Sequence, residues 1–456
     1  MSYVPYEMYA NRIERASTVK QFGEVTQVVG LVIESAGPAV SIGRLCQIEN
    51  KDDCSRIRAE VVGFRDGRIL LMPLGTTAGI TPGAIVTSTS EQLRIPVGDE
   101  LIGRIVGGLG EPIDGRGPIR SAATRPVITH PIPVLGRKRI TEPIRTGIKA
   151  VDLLAAVGKG QRMGIFAGSG VGKSIMLGMI ARGSSADVNV IALVGERGRE
   201  VREFIERDLG PSGLRRSVVV AVSSDQPALI RIKGALVATS IAEYFRDRGK
   251  DVMLLMDSVT RIAMAQREIG LAVGEPPATR GYTPSVFALL PMLLERAGCT
   301  QSGSITGLYA VLVEGDDFNE PISDAVRSIL DGHVALSRRL AARNQYPAVD
   351  PLDSISRLMT EICPPAELEL AARVRSLTAT YREAEDLINI GAYAKGSNSE
   401  IDRAIEKIAP INDFLKQPID QLCDHEQAVC ELSEIVGSEN VSDEEIQVSV
   451  SAAPAR

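Results

Sequence analysis

The sequence predicts a multidomain α/β protein: a small N-terminal β-barrel, a central domain built on a mostly parallel sheet, and a helical C-terminal end. Three patterns predict it. Short apolar strands punctuated by turns fill residues 21–97, and Val/Ile/Leu runs of strand length alternate with helix-like segments across 98–352. From 353 to 430 apolar residues recur at three- and four-residue spacing. A length of 456 residues accommodates about three domains of ~150 residues.

Each element has its own signal. In the first zone the runs VTQVVGLVIES, AVSIGRLCQI, RIRAEVVGF and RILLMPLG are strand-like, and Asp66-Gly67 between the last two marks a two-residue hairpin. The Gly/Pro-rich stretch from Ile95 to Ile119 reads as a linker into the second zone. There MGIFA, VNVIALVG, SVVVAVSS, DVMLLMDS and SITGLYAVLV suit strands buried on both faces. The C-terminal zone contains PAELELAARVRSLTATYREAEDLINI and EIDRAIEKIAPINDFLKQ, two amphipathic helical patterns. Residues 431–456 carry six acids against one base and read as a flexible acidic tail. At the other end, in residues 1–20, Tyr3, Tyr6, Tyr9 and Ile13 fall at helical spacing, which fits either a helix or a mobile tail.

Composition narrows the function classes. Lys plus Arg total 51 against 57 Asp plus Glu, a net charge of -6, so the overall field repels nucleic acid and anionic membrane. Eight Phe, nine Tyr and no Trp leave little for stacking on nucleic-acid bases. The six cysteines form no CxxC pair and there are only three histidines, so zinc-type spacing is absent. The N-terminus has no secretory pattern and no apolar run reaches 18 residues, which predicts a soluble cytoplasmic protein.

MGIFAGSGVGKSIMLGMIARG carries the chemistry. An apolar strand runs into Gly168-Ser169-Gly170-Val171-Gly172-Lys173-Ser174 and then into an apolar helix. Glycines allow successive backbone N–H groups to curl around phosphate oxygens, which bulkier side chains would block. Lys173 would neutralise the β and γ phosphates, Ser174 would coordinate Mg²⁺, and the helix N-terminus adds a favourable dipole. Ala167 stands where the usual pattern begins with Gly. This is a nucleotide P-loop, with ATP and Mg²⁺ as the implied ligands. Asp257 ends the buried run DVMLLMD, as a Walker B carboxylate does. Glu196 ends VNVIALVGE, where a carboxylate at the same sheet edge would polarise an attacking water; taken alone it also fits a surface ion pair.

AGSGVGKS, GERGREVREF, LLMDSVTR and YPAVDPLDSISR, in this order, resemble the catalytic subunits of the rotary ATP synthase family and their relatives, the type III protein-export ATPases. The resemblance spans roughly Gly23 to Met359 and implies a RecA-type P-loop NTPase domain at the centre. The segments QREIGLAVGEPPATRGYTPSVFALLPMLLERAG and INIGAYAKGSNSEIDRAI are similar to export ATPases, the latter to the flagellar branch. It implies Glu196 as the catalytic carboxylate, Glu200 as a second acid near the metal's water shell, and Arg197 and Arg261 around the terminal phosphate. Tyr346 matches the adenine-stacking tyrosine and Arg357 the arginine that reaches a neighbour's γ-phosphate; structurally, a packed aromatic and a helix-start ion pair fit them too.

The resemblance further implies a cytoplasmic homohexamer, peripherally associated with a membrane export gate and acting on export substrates and their chaperones. A stator-like regulator would dock at the N-terminal helix, and the loop GEPPATRGYTPSVF would face a central coiled-coil stalk protein; its residues alone equally fit a Pro-stabilised surface connection. An injectisome ATPase is the near alternative to a flagellar one. A rotary synthase subunit, a noncatalytic ring subunit and an RNA translocase fit less well, the last because residues 21–97 hold only Phe22 and Phe64 as aromatics.

Overall fold

The computed structural model describes residues 21–50, 56–89, 91–129, 132–313, 315 and 317–437. The N-terminal helix expected within residues 1–20 lies outside them, as does most of the acidic tail.

Six strands form a closed barrel: β1 Phe22–Val29, β2 Val32–Ala36, β3 Leu45–Glu49, β4 Arg56–Arg65, β5 Arg68–Pro73 and β6 Ile85–Ser88, in spatial order β1-β2-β5-β4-β3-β6. Ile33, Cys46, Ile48, Val61, Leu71 and Val86 fill its interior with aliphatic bulk. Asp66 and Gly67 both take positive φ, 51° and 75°, as a two-residue hairpin turn requires, and Arg65 pairs with Arg68 across it. Arg94–Val97 was expected to close this domain. It instead pairs with Ala123–Pro126 in a separate two-stranded sheet, and Ile95 and Val97 are buried in the central core. Once β6 has paired with β1, the barrel has no free edge to accept another strand. The Gly/Pro-rich stretch is likewise more than a linker, since Ile105–Val106 adds β7 to the edge of the central sheet.

The central sheet contains β7, β8 Arg162–Ala167, β9 Val188–Glu196, β10 Ser217–Ser223, β11 Asp251–Asp257, β12 Ser304–Leu312, β13 Gly332–Leu336 and β14 Ile355–Ser356. Its order is β14-β13-β8-β12-β11-β9-β10-β7, with Gly298–Cys299 added against β12. Every pair from β13 to β7 is parallel; β14 is antiparallel and carries the sheet past residue 352, where the helical zone was expected to begin. Parallel strands buried on both faces demand the uninterrupted apolar runs seen in the sequence, and their C-terminal ends open a crevice for ligands. Helices α1 Lys173–Gly183, α2 Ala228–Asp247 and α3 Val259–Val273 lie against the sheet, and α4 Pro284–Leu294 packs on α3. The uncharged run around α4 is a helix of 11 residues, and no helix among the described residues is long and apolar enough to cross a membrane.

Barrel and central domain are joined through a buried ion pair, Lys233 Nζ to Glu60 Oε2 at 2.6 Å, and by Arg65 donating to the Val273 carbonyl at 2.6 Å. At the other end α5 Pro365–Asn389, α6 Ser399–Leu415 and α7 His425–Val436 form the helical domain. The Asn398 side chain caps α6 by accepting from the Glu400 and Ile401 amides, and Asp424 caps α7. The tail was expected to begin at Glu431, but α7 runs on to Val436. Ala428, Leu432 and Val436 recur every fourth residue and bury one stripe, which outweighs the acids on the opposite face.

Candidate active site

Strand β8 is buried almost throughout and delivers the chain to Gly168 at the C-terminal edge of the sheet. Gly170 and Gly172 take φ of 78° and 91°, a region L-residues avoid, so the loop's amides turn inward. A Cβ at Gly170 would meet nothing within 4 Å, which leaves an open cradle. Helix α1 begins at Lys173, with Ser174 exposed on its first turn. The Lys173 ammonium makes a short ion pair with Asp257 Oδ1 and lies 3.8 Å from Glu196 Oε1. Asp257, only 3% exposed, reaches it from the end of β11, two strands away in the sheet.

Glu196 owes its position to a bulge. Leu193 on β9 is level with Asp257 on β11, but the register with β10 slips between Val194 and Glu196 at Gly195, whose φ is 76°. A Cβ at Gly195 would stand 2.8 Å from Arg261 Cβ, so only glycine lets the Arg261 stem cross there. The bulge brings Glu196 toward Lys173, and Glu196 Oε1 is buried without a hydrogen-bond partner, as is Arg261 Nε. Burial, then the negative charge of Asp257, pushes the Glu196 carboxyl up to about 7, with Lys173 and Arg261 pulling the other way. A carboxylate so tuned exchanges a proton near neutrality, which suits a group that polarises water. Glu200 acts on Glu196 in the same upward direction. Arg197 does not join the cluster: its side chain is 80% exposed and pairs with Glu200 at 3.7 Å.

Tyr346 approaches the loop from the other side. Its ring lies 3.3 Å from where a Gly172 Cβ would stand, and it walls a cavity of about 540 Å³ shared with Met176, Met179, Pro347, Pro418 and Ile419. This cavity is lined mainly by apolar atoms and adjoins the phosphate cradle. Nothing local in the sequence pointed to Lys416–Ile419 as its far wall, because that segment is separated from the P-loop by the whole central domain. Arg357 is placed elsewhere. Its amide donates to the Asp331 carbonyl at 3.0 Å, and Asp331 in turn pairs with Arg162, the first residue of β8. Arg357 is therefore exposed at the N-terminal end of the sheet, while the P-loop follows the C-terminal end of β8, about 16 Å away along the strand.

Residues 147–356 match the ATP synthase alpha/beta family, nucleotide-binding domain; residues 25–90 match its beta-barrel domain. Residues 363–434 match the T3SS EscN ATPase C-terminal domain. The flagellum-specific ATP synthase of Bacillus subtilis is 56% identical over 430 residues, covering 94% of this chain and 98% of that protein. The chain belongs to the ATP synthase alpha/beta family. Within it, the chain is an ATPase of the flagellar and type III secretion branch. The type 3 secretion system ATPase of Xanthomonas euvesicatoria is 52% identical, covering 90% of this chain and 93% of its own length. The assembled ATPase EscN of enteropathogenic E. coli, solved in complex with its central stalk EscO, superposes with a TM-score of 0.84 at 42% identity, over 91% of this chain and all of that one.

The residues of this ATPase fit Mg²⁺ and a polyphosphate. The orphaned Glu196 Oε1, the buried Asp257 carboxylate and the exposed Ser174 hydroxyl supply the oxygen donors that Mg²⁺ and its waters favour. Lys173, paired with the Asp257 and Glu196 carboxylates, has the charge and reach to exchange them for phosphate oxygens.

Proposed function

We propose that this chain hydrolyses Mg·ATP within a homohexameric ring and uses the energy for flagellar protein export. The observation that carries the reading is Glu196: a half-buried carboxyl pushed up to about 7, with one oxygen lacking a hydrogen bond and 3.8 Å from the P-loop ammonium. The γ-phosphoryl group of ATP would sit between Lys173 and Glu196. Water attacks phosphorus, the bond to the β,γ-bridging oxygen breaks, ADP leaves, and the water's proton passes toward the Glu196 carboxylate. Lys173 and Arg261 offset charge as it spreads onto the phosphoryl oxygens. Ser174, with Asp257 and Glu200 anchoring its water shell, would hold Mg²⁺, which would supply positive charge to the phosphates. Tyr346 stacks on adenine in the apolar cavity.

Arg357 supports a shared site. Exposed at the far end of the sheet, it lies remote from its own P-loop and would complete a neighbour's. Head-to-tail contacts of this kind close most simply as a ring. Arg197, exposed beside the crevice, would swing onto the terminal phosphate when ATP arrives. The export assignment rests on the C-terminal match and the similarity to flagellar and secretion ATPases, and the 56% identity to a flagellar relative favours the flagellar system. Partners would then be a central stalk in the ring's pore, a stator-like regulator, export substrates with their chaperones, and the membrane export gate.

The test is genetic and biochemical together. Lys173→Ala should abolish turnover, and Glu196→Gln should bind ATP without hydrolysing it. Either allele, replacing the chromosomal gene, should eliminate hook and filament assembly. Normal filaments with loss of effector secretion would move the chain to an injectisome, and near-normal turnover by Glu196→Gln would overturn the catalytic assignment.

A further inference from the structure

Residues 416–424, between α6 and α7, contain no helix or strand, yet Pro418 and Ile419 form the wall of the apolar cavity facing Tyr346. A wall without ladder hydrogen bonds must be held by something else. Gln417, 4% exposed, supplies the attachment. Its Oε1 accepts from the Lys149 amide at 2.9 Å, and its Nε2 donates to the Gly147 carbonyl at 2.8 Å and to the Gln421 carbonyl at 2.7 Å. Its own backbone amide donates to the Tyr346 carbonyl at 2.9 Å. One residue thus ties both walls of the cavity to the Gly147–Lys149 segment of the central domain. Gly147 itself packs against Gly183, the last residue of α1, and Arg182 of the same helix donates to the Ile419 carbonyl at 2.7 Å.

We propose that Gln417 is a positioning residue for the nucleotide base: it sets the distance between the Pro418–Ile419 wall and the Tyr346 ring, and so governs affinity for ATP without touching the phosphates. The inference rests on the reading of this cavity as the adenine pocket. The chemistry is demanding, since the site needs one acceptor and two donors on a side chain of this length. Glutamate keeps the acceptor and loses both donors, and methionine keeps only the shape.

Steady-state hydrolysis of Gln417→Met, in the assembled full-length protein, should show KM for ATP raised about tenfold with kcat within about twofold of wild type. Gln417→Glu, which turns a carboxylate oxygen toward the Gly147 and Gln421 carbonyls, should raise KM at least as much. Inhibition by inorganic tripolyphosphate, which occupies the cradle and has no base, should be unchanged. An unchanged KM in both variants, or tripolyphosphate weakened as much as ATP, would overturn the proposal. Should Gln417→Met fail to fold, Gln417→Glu carries the same test. Tyr346→Ala separates the two readings. If it raises KM and the Gln417 variants do not, this inference fails alone; if Tyr346→Ala leaves KM unchanged too, the adenine-pocket reading fails with it.

Discussion

Glu196→Gln should make the nucleotide-free protein more stable, by a margin that grows from about pH 4.5 to 7 and is complete above neutral pH. In an unfolded chain a glutamate takes up its proton near 4.5, whereas in the folded site burial raises the carboxyl to about 7. Between these values the folded state binds more protons than the unfolded one, so stability falls as pH rises from about 4.5 to 7 and is level above. At about 1.4 kcal/mol per pH unit, the ionised carboxylate would cost at most about 3 kcal/mol. The side chain keeps 15% of its surface in water, which brings the expected cost to about 1–2 kcal/mol. Glutamine has nearly the same shape and no charge, and Lys173 retains Asp257 as counter-ion. Thermal unfolding without nucleotide should therefore show Tm of the variant about 2–6 °C above wild type at pH 8, the gap closing toward pH 5. A variant no more stable than wild type at pH 8, or equally stabilised at pH 5 and pH 8, would refute the account. The same carboxyl predicts that kcat/KM of the wild type declines below about pH 7.

Arg357→Ala should be inactive alone, with ~10³ to 10⁵ of rate at stake for an arginine supplied in trans, and should regain partial turnover when mixed with Lys173→Ala subunits; a mixture as inactive as its components would exclude a shared site. Gly195→Ala should lower kcat at least about tenfold while sparing KM, because a Cβ is disfavoured at φ 76° and collides with the Arg261 stem, and wild-type kcat would dismiss the bulge as a device for aiming Glu196. Truncation after Cys430 removes buried Leu432 and Val436 and the Lys149–Glu431 ion pair, so the helical domain should lose about 3 kcal/mol or more, read as accelerated proteolysis of α5–α7; unchanged resistance would return this segment to the role of a dispensable tail.

The P-loop was legible because everything that defines it is contiguous: one strand, one glycine-rich turn and one helix start lie within 21 residues from Met163 to Gly183. Asp257 and Glu196 were legible for a related reason, as each is the polar residue that ends an apolar run. Gly195 looked like any turn glycine, since its need for positive φ is set by Arg261 on another element. Gln417 gave no signal at all, because its partners Gly147 and Lys149 lie about 270 positions away. The misplacement of Arg94–Val97 has the same origin: strand-like character is local, but which sheet receives a strand depends on where edges remain. In the last helix, acid count concealed a fourth-residue repeat that only packing against the helical domain reveals.

Barrel closure also constrains how copies of this chain can meet. With β6 paired to β1, the main-chain donors and acceptors along that seam are already engaged, so one barrel cannot recruit another by lending it a strand. What the barrel surface presents instead is side chains, including Phe22, Ile42 and Phe64, all more than half exposed. Contacts of that kind form and separate without unzipping any strand, so subunits can join and leave an assembly while each keeps its fold intact.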